Sequence, residues 1–366
     1  MKAMTRRVVV GTAAIAMSAS LAACGQAGSG NGNGDNGDDG KKLIGLLLPE
    51  NKTTRYEAFD RPLITQKIKD LCSDCEVKYN NASQDTEQQK KQFDALVTQG
   101  ADVIVLDAVD ATATKSWVDR AADQGIDVVA YDRLAEGDVS SYVSYDNEAI
   151  GKLQGKGMVE ALGGDAGDSR VVMINGSPTD PNAALFKKGA HSVLDKQAGK
   201  IVYEQDIPDW SPDEANKKMA AALTSLGKDG FDGVYSANDG MAGGIITALK
   251  KSGITDVPVG GQDAELAGVQ RIVKGEQAFT IYKAIKPEAE TAAEMAVKLL
   301  EGEDFGDTAP STVDSNSKKD IPTKLYGAQI VTKDNIKDTL VEDEVYTVDQ
   351  ICTKAYEKAC KAAGLK

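Results

Sequence analysis

The chain has 366 residues, 27% of them charged, with a formal charge of −14 and a single histidine. An acidic surface of this kind repels phosphate backbones, so nucleic acid is excluded as a partner. A lone histidine, His191, leaves no basis for a histidine-built metal site, and no serine sits in G-x-S-x-G.

Lys2, Arg6 and Arg7 precede the apolar run Val8 to Met17 and the small residues Leu21-Ala22-Ala23 before Cys24. Charge, apolar stretch and small-residue cleavage site follow one another as in a secretory signal, which predicts a signal peptide over 1–23. Leu-Ala-Ala-Cys resembles the bacterial lipobox, which implies a lipid on Cys24 and an extracytoplasmic chain tied to the membrane. Residues 24–41 are rich in Gly, Asn and Asp and predict a flexible linker. With Cys24 lipidated, Cys72, Cys75, Cys352 and Cys360 remain, an even set that predicts two disulfides in an exported protein. Three pairings are open. The local one, Cys72 with Cys75 and Cys352 with Cys360, is favoured, because one turn of chain brings an i, i+3 pair within reach. Cys72-Ser73-Asp74-Cys75 also has the redox spacing, but no strand feeds it into a helix.

From Leu43 strands and helices alternate. Leu43 to Leu48 reads as a strand buried on both faces, followed by a helix to about Leu71. Strands are expected over 76–79, 102–106 and 127–131, with helices over 112–123 and before Gly100, capped by Ser83 or Asp85. The rhythm restarts after Asn147. Helices near 149–162, 182–197, 212–226, 242–251, 265–273 and 287–300 are interleaved with strands near 170–174, 201–205, 233–235, 258–260 and 277–282. The fold class is α/β, in two similar halves with parallel sheets.

In such sheets ligands bind beyond the carboxyl ends of the strands. The loops there carry Arg55, Tyr56, Asp132, Arg133, Asn182, Trp210, Asn238, Asp263 and Lys283. Planar amides, carboxylates and cations suit hydroxyl groups, which both donate and accept. Trp210 or Tyr56 could cover the apolar face of a pyranose.

The segments Ala130-Tyr131-Asp132-Arg133-Leu134, Gly176-Ser177-Pro178 with Asp180 and Asn182, Ala237-Asn238-Asp239, Gly261-Gln262-Asp263-Ala264 and Thr280-Ile281-Tyr282-Lys283 carry a specific likeness. They resemble the type 1 periplasmic sugar-binding proteins of ABC importers, near the D-xylose-binding and multiple-sugar-binding members. That resemblance implies two Rossmann-like lobes joined by a three-strand hinge: 42–144 with 283–320, and 145–282 with 321–366. It implies Asp132 and Arg133 as contacts from the first lobe, Asn182, Asn238 and Asp263 from the second, Lys283 at the hinge and Trp210 stacked on the ring. Arg55 matches the arginine of the first loop, whereas Tyr56 stands where the xylose proteins have tryptophan. The implied partners are a monosaccharide and an ABC permease; a monomer without cofactor is expected.

Ligand donation to a chemoreceptor or sensor kinase is an alternative use of the same fold. A transcription regulator would need a basic helix-turn-helix where the leader and linker stand. A glycosidase or isomerase would consume the sugar rather than return it. Gly151 to Gly157 is glycine-rich and basic but lacks the Walker spacing and its Ser/Thr.

Overall fold

The computed structural model describes residues 42–164 and 166–366; the expected leader, the Cys24 anchor and the linker lie outside them. The first lobe is laid down as β1 (Leu43–Leu48), α1 (Arg61–Leu71), β2 (Glu76–Asn81), α2 (Thr86–Thr98), β3 (Val103–Leu106), α3 (Lys115–Ala122), β4 (Asp127–Tyr131) and β5 (Ser141–Tyr145). The chain then builds α4 (Asn147–Ala161), β6 (Arg170–Asn175), α5 (Pro181–Gln197), β7 (Lys200–Asp206), α6 (Pro212–Leu226), β8 (Gly233–Ser236), α7 (Asp239–Lys251), α8 (Leu266–Lys274) and β9 (Thr280–Lys283). It returns through α9 (Ile285–Glu301), β10 (Ser311–Val313) and β11 (Ile321–Tyr326), and ends with β12 (Ala328–Val331), α10 (Val348–Ile351) and α11 (Glu357–Ala362).

The first sheet has the order β10-β11-β5-β4-β3-β1-β2, parallel except for the edge strand β10. β1 shows why its apolar run is unbroken. Leu43 and Leu47 pack with α2 and α3 on one side, while Ile44, Leu46 and Leu48 pack with α1 and α9 on the other. In the second lobe β7, β6 and β8 are parallel, and β9 pairs antiparallel with β12. The strand expected over 258–260 is reduced to a single bridge, Val259 to Val234. Backbone bonds from Gly260 to Val234 and from Ala278 to Val259 carry the layer across that gap towards β9.

Three crossings join the lobes, after Tyr145, Lys283 and Tyr326. The last lies later than the expected boundary at 320, because β11 pairs in parallel with β5 and belongs to the first sheet. The Asp146 N–H donates to the Tyr326 carbonyl at 3.0 Å, which ties the first crossing to the third. The glycines of α4 serve packing. A Cβ on Gly151 would lie 2.1 Å from the Phe186 carbonyl oxygen, and one on Gly189 would lie 2.2 Å from that of Glu148, so α4 and α5 touch backbone to backbone. Cys72 is bonded to Cys75 and Cys352 to Cys360. Among the described residues no helix is long and apolar enough to cross a membrane.

Candidate functional site

The carboxyl ends of both sheets face each other across one cavity. All nine residues singled out in the strand-end loops line it, together with Thr53, Asp180, Phe186 and Gln262. They come together at the carboxyl ends of the strands: β6 and β8 lead into the starts of α5 and α7, which places Asn182 and the cap Asn238 on the rim, while Asp132 and Arg133 stand in the turn from β4 to β5 and Lys283 ends β9.

From the first lobe, the turn after β1 brings Arg55 and Tyr56, and the end of β4 brings Asp132 and Arg133. Arg55 is buried. Its Nε donates to Asp60, and its Nη2 lies 2.5 Å from both Asp60 Oδ1 and Glu288 Oε2. Its Nη1 is 3.7 Å from Asp132 Oδ1 and has no hydrogen-bond partner among the described residues. Asp132 takes a left-handed backbone, φ +55°. Three donors hold its carbonyl: Ser144 Oγ at 2.6 Å, Tyr142 Oη at 3.1 Å and, from the other lobe, Asn182 Nδ2 at 3.1 Å. Strained backbone of this kind persists only where its surroundings fix it. Arg133 donates to the Ala108 carbonyl and to the Tyr56 hydroxyl, and Tyr56 in turn donates to Asp132 Oδ2 at 3.2 Å.

From the second lobe, Asp180 caps α5 with Oδ1, while Oδ2 accepts from the Trp210 indole at 3.1 Å and sits 2.9 Å from Arg133 Nε. The indole is thus fixed in plane and azimuth, edge-to-face with Phe186 and flush against Gly176. Asn238 caps α7, committing its carbonyl oxygen to the Met241 N–H and leaving its amide nitrogen for a ligand. Asp263, at φ +91°, pairs with Lys283 at 2.9 Å. The Lys283 ammonium lies over the Tyr145 and Phe186 rings.

Burial opposes charge on Arg55 and Arg133, yet the carboxylates facing them outweigh it and raise both pKa values. Burial likewise works against the Asp132 carboxylate, but Arg55, Lys283 and Arg133 together hold its pKa below the ordinary value. Asp107 and Asp180 are pushed up by burial despite Arg133, and Glu288 is pushed up to about 8 by burial despite Arg55. The site therefore balances its charges internally. Every cation of the lining is matched by carboxylates, and Arg55 Nη1, Arg133 Nε and Gln262 Oε1 are buried without a hydrogen-bond partner among the described residues, a set that suits a ligand able both to donate and to accept.

Asp60, Asp107, Asp180, Gln262 and Glu288 were not singled out from the sequence as site residues. Asp180 had a local signal, as an Asp before the Pro-Asn of a helix start, and Gln262 stands beside Asp263. Glu288 had none, since it reaches Arg55 from a helix 233 residues away. His191 is engaged by Asp195 and Glu204 at the surface of α5. Among the described residues no cluster of His, Cys, Asp and Glu is arranged to hold a metal ion.

A two-lobed α/β fold with a polar, charge-balanced cavity at the lobe junction defines a solute-binding protein, and comparison with known proteins agrees. Residues 44–304 match the family described as periplasmic binding protein domain. The chain is 36% identical over 306 residues to the D-xylose-binding periplasmic protein of Escherichia coli, covering 82% of this chain and 89% of that one. It is 33% identical to the multiple sugar-binding periplasmic receptor ChvE of Rhizobium radiobacter, covering 85% and 92%. A solute-binding protein from Clostridium phytofermentans, solved with bound β-D-glucose, superposes with a TM-score of 0.75 at 26% identity, over 85% of this chain and all of that one. The chain belongs to the periplasmic binding protein family, among its type 1 sugar-binding members, and is a binding protein rather than an enzyme. Its kin work outside the cytoplasm, in the periplasm.

Proposed function

We propose that this protein captures a neutral monosaccharide, D-xylose or a related aldose, between its lobes and delivers it to an ABC permease, held at the membrane by lipid on Cys24. One observation carries the sugar reading: both lobes contribute planar polar groups and an oriented indole to a single cavity whose lining keeps buried, unpaired donors, Arg55 Nη1 and Arg133 Nε, and an unpaired acceptor, Gln262 Oε1. A hydroxyl-rich ligand fits that set, whereas an anionic sugar would meet Asp132, Asp180 and Asp263. The lobes, 42–145 with 284–326 and 146–283 with 327–366, close as rigid bodies about the three crossings. Asp132, Arg133, Asn182, Asn238, Asp263 and Lys283 bind hydroxyls, Arg55 adds Nη1, and Trp210 and Tyr56 flank the ring. The named ligands of the relatives, D-xylose and multiple sugars, support the class and leave the particular aldose to experiment.

Isothermal titration of the purified chain with D-xylose, L-arabinose, D-glucose, D-galactose and D-glucuronate tests this. At least one neutral sugar is expected to bind with a Kd of about 1 μM or below, to be recovered unchanged, and to outcompete glucuronate. Silence towards every neutral sugar, or their conversion to product, overturns it.

A further inference from the structure

Arg55 offers one edge to the cavity because its other nitrogens are already taken. Asp60 holds Nε, and Asp60 with Glu288 holds Nη2. Asp60 belongs to the same stretch of chain as Arg55. Glu288 does not: it lies in the first turn of α9, just beyond the second crossing at Lys283 and Ala284. That crossing is itself tied to the first, since the Tyr145 hydroxyl donates to the Ala284 carbonyl at 3.1 Å. Tyr145 also sits beside the Glu288 carboxylate, and its ring faces both Arg55 and Lys283. On α9 the neighbours that pack on the first sheet are Ala289, Ala292, Ala293 and Ala296, all buried and apolar. Among them Glu288 is a fully buried carboxylate, which packing alone does not call for.

We propose that Glu288 is a positioning residue through which the seating of the hinge orients Arg55 towards the ligand. With α9 and the second crossing seated as here, the guanidinium is pinned along Nε and Nη2, and Nη1 faces the cavity. Without the Glu288 carboxylate the guanidinium is held by Asp60 and Asp132 alone and turns from the ligand. The groups facing Glu288 are Arg55, Asp60, Asp132, Tyr131 and Tyr145. The inference rests on the sugar-binding reading above.

Titration calorimetry of the wild type, Glu288→Asp and Glu288→Gln with the neutral sugar that the wild type binds best tests it. Near-UV circular dichroism serves as the check of folding. At about pH 9, where Glu288 is ionised, loss of the charged partner in Glu288→Gln is expected to weaken binding about thirtyfold or more. Glu288→Asp keeps the charge at shorter reach and is expected to recover most of that loss, remaining about three- to tenfold weaker than wild type. A Glu288→Gln affinity within about twofold of wild type overturns the proposal, as does a Glu288→Asp affinity no better than that of Glu288→Gln. Should Glu288→Gln fail to fold, an unchanged Glu288→Asp affinity overturns it and a measurable weakening supports it. If the wild type binds no sugar, the reading beneath it fails first, and that result is separate from any seen in the variants.

Discussion

Gly176 follows β6 directly beneath the Trp210 indole, and an added Cβ would lie 2.1 Å from the ring. The ring must shift to admit a methyl group, and its bond to Asp180 would break with it. Gly176→Ala is therefore expected to weaken sugar binding by about tenfold or more while costing about 1–3 kcal/mol of stability, measured by calorimetry and thermal unfolding. Asn238→Ala removes both the α7 cap and the free amide. It is expected to abolish the sugar-induced rise in Tm and to lower the unliganded stability by about 1 kcal/mol. The place of Asn238 on the cavity rim was legible in the sequence because it stands immediately after the run Val234-Tyr235-Ser236-Ala237, where a parallel sheet must present it. The wall behind it was not. Asp60 and Glu288 act through contacts that only the folded chain makes, and a carboxylate on an ordinary helix repeat carries no mark of its burial; Asp107 did follow the apolar run Val103–Leu106 but was not singled out.

The helices show the same division. The apolar runs marked out most elements to within a few residues, and of the two caps offered for α2 it is Asp85 that caps it; Ser211 and Asn238 cap α6 and α7 in the structure. The run at 258–260 read as a strand but makes only one bridge, since it ends on Gly260, Gly261 follows, and the chain turns into the site. The expected lobe boundary at 320 differs from the crossing after Tyr326. Only the pairing of β11 with β5 assigns that strand to the first sheet. The glycine run of α4 had no function that spacing could reveal, and its purpose is steric. Gly151→Val is expected to force α4 from α5 and to lower the unfolding midpoint in urea, with a loss of about 3 kcal/mol or more. An unchanged midpoint would mean that the two helices separate freely.

Across the whole molecule, the lobes are joined by contacts that depend on buried carboxylates. Glu265 accepts the Thr54 N–H from the opposite lobe at 3.3 Å, and its own N–H donates to Asp239 Oδ2. Burial, with Asp239 and Asp263 nearby, pushes Glu265 up to about 8, and burial pushes Asp239 up to about 7. A carboxyl whose folded pKa is raised binds its proton more tightly in the folded state than in the unfolded one. The resulting stability is complete below the unfolded pKa and is lost as the pH rises through the folded value. Between about pH 5 and 8 the unliganded protein is thus expected to lose stability, each such group contributing a slope of up to about 1.4 kcal/mol per pH unit. Thermal unfolding of the wild type against Glu265→Gln checks this: the variant should show a shallower decline, and parallel curves would remove Glu265 from the account. The tail offers a second measurement. Cys352 and Cys360 close a short loop against α8, and reducing or replacing that pair is expected to cost about 2–3 kcal/mol.

The cavity between the lobes has a kinetic meaning as well. Trp210 is 6% exposed and Asn238 3%, and residues from both sides interlock around the space they enclose. If the lobes close on the sugar as proposed above, a guest leaves only when the two walls part, and a permease that collects the cargo must act as a pry bar.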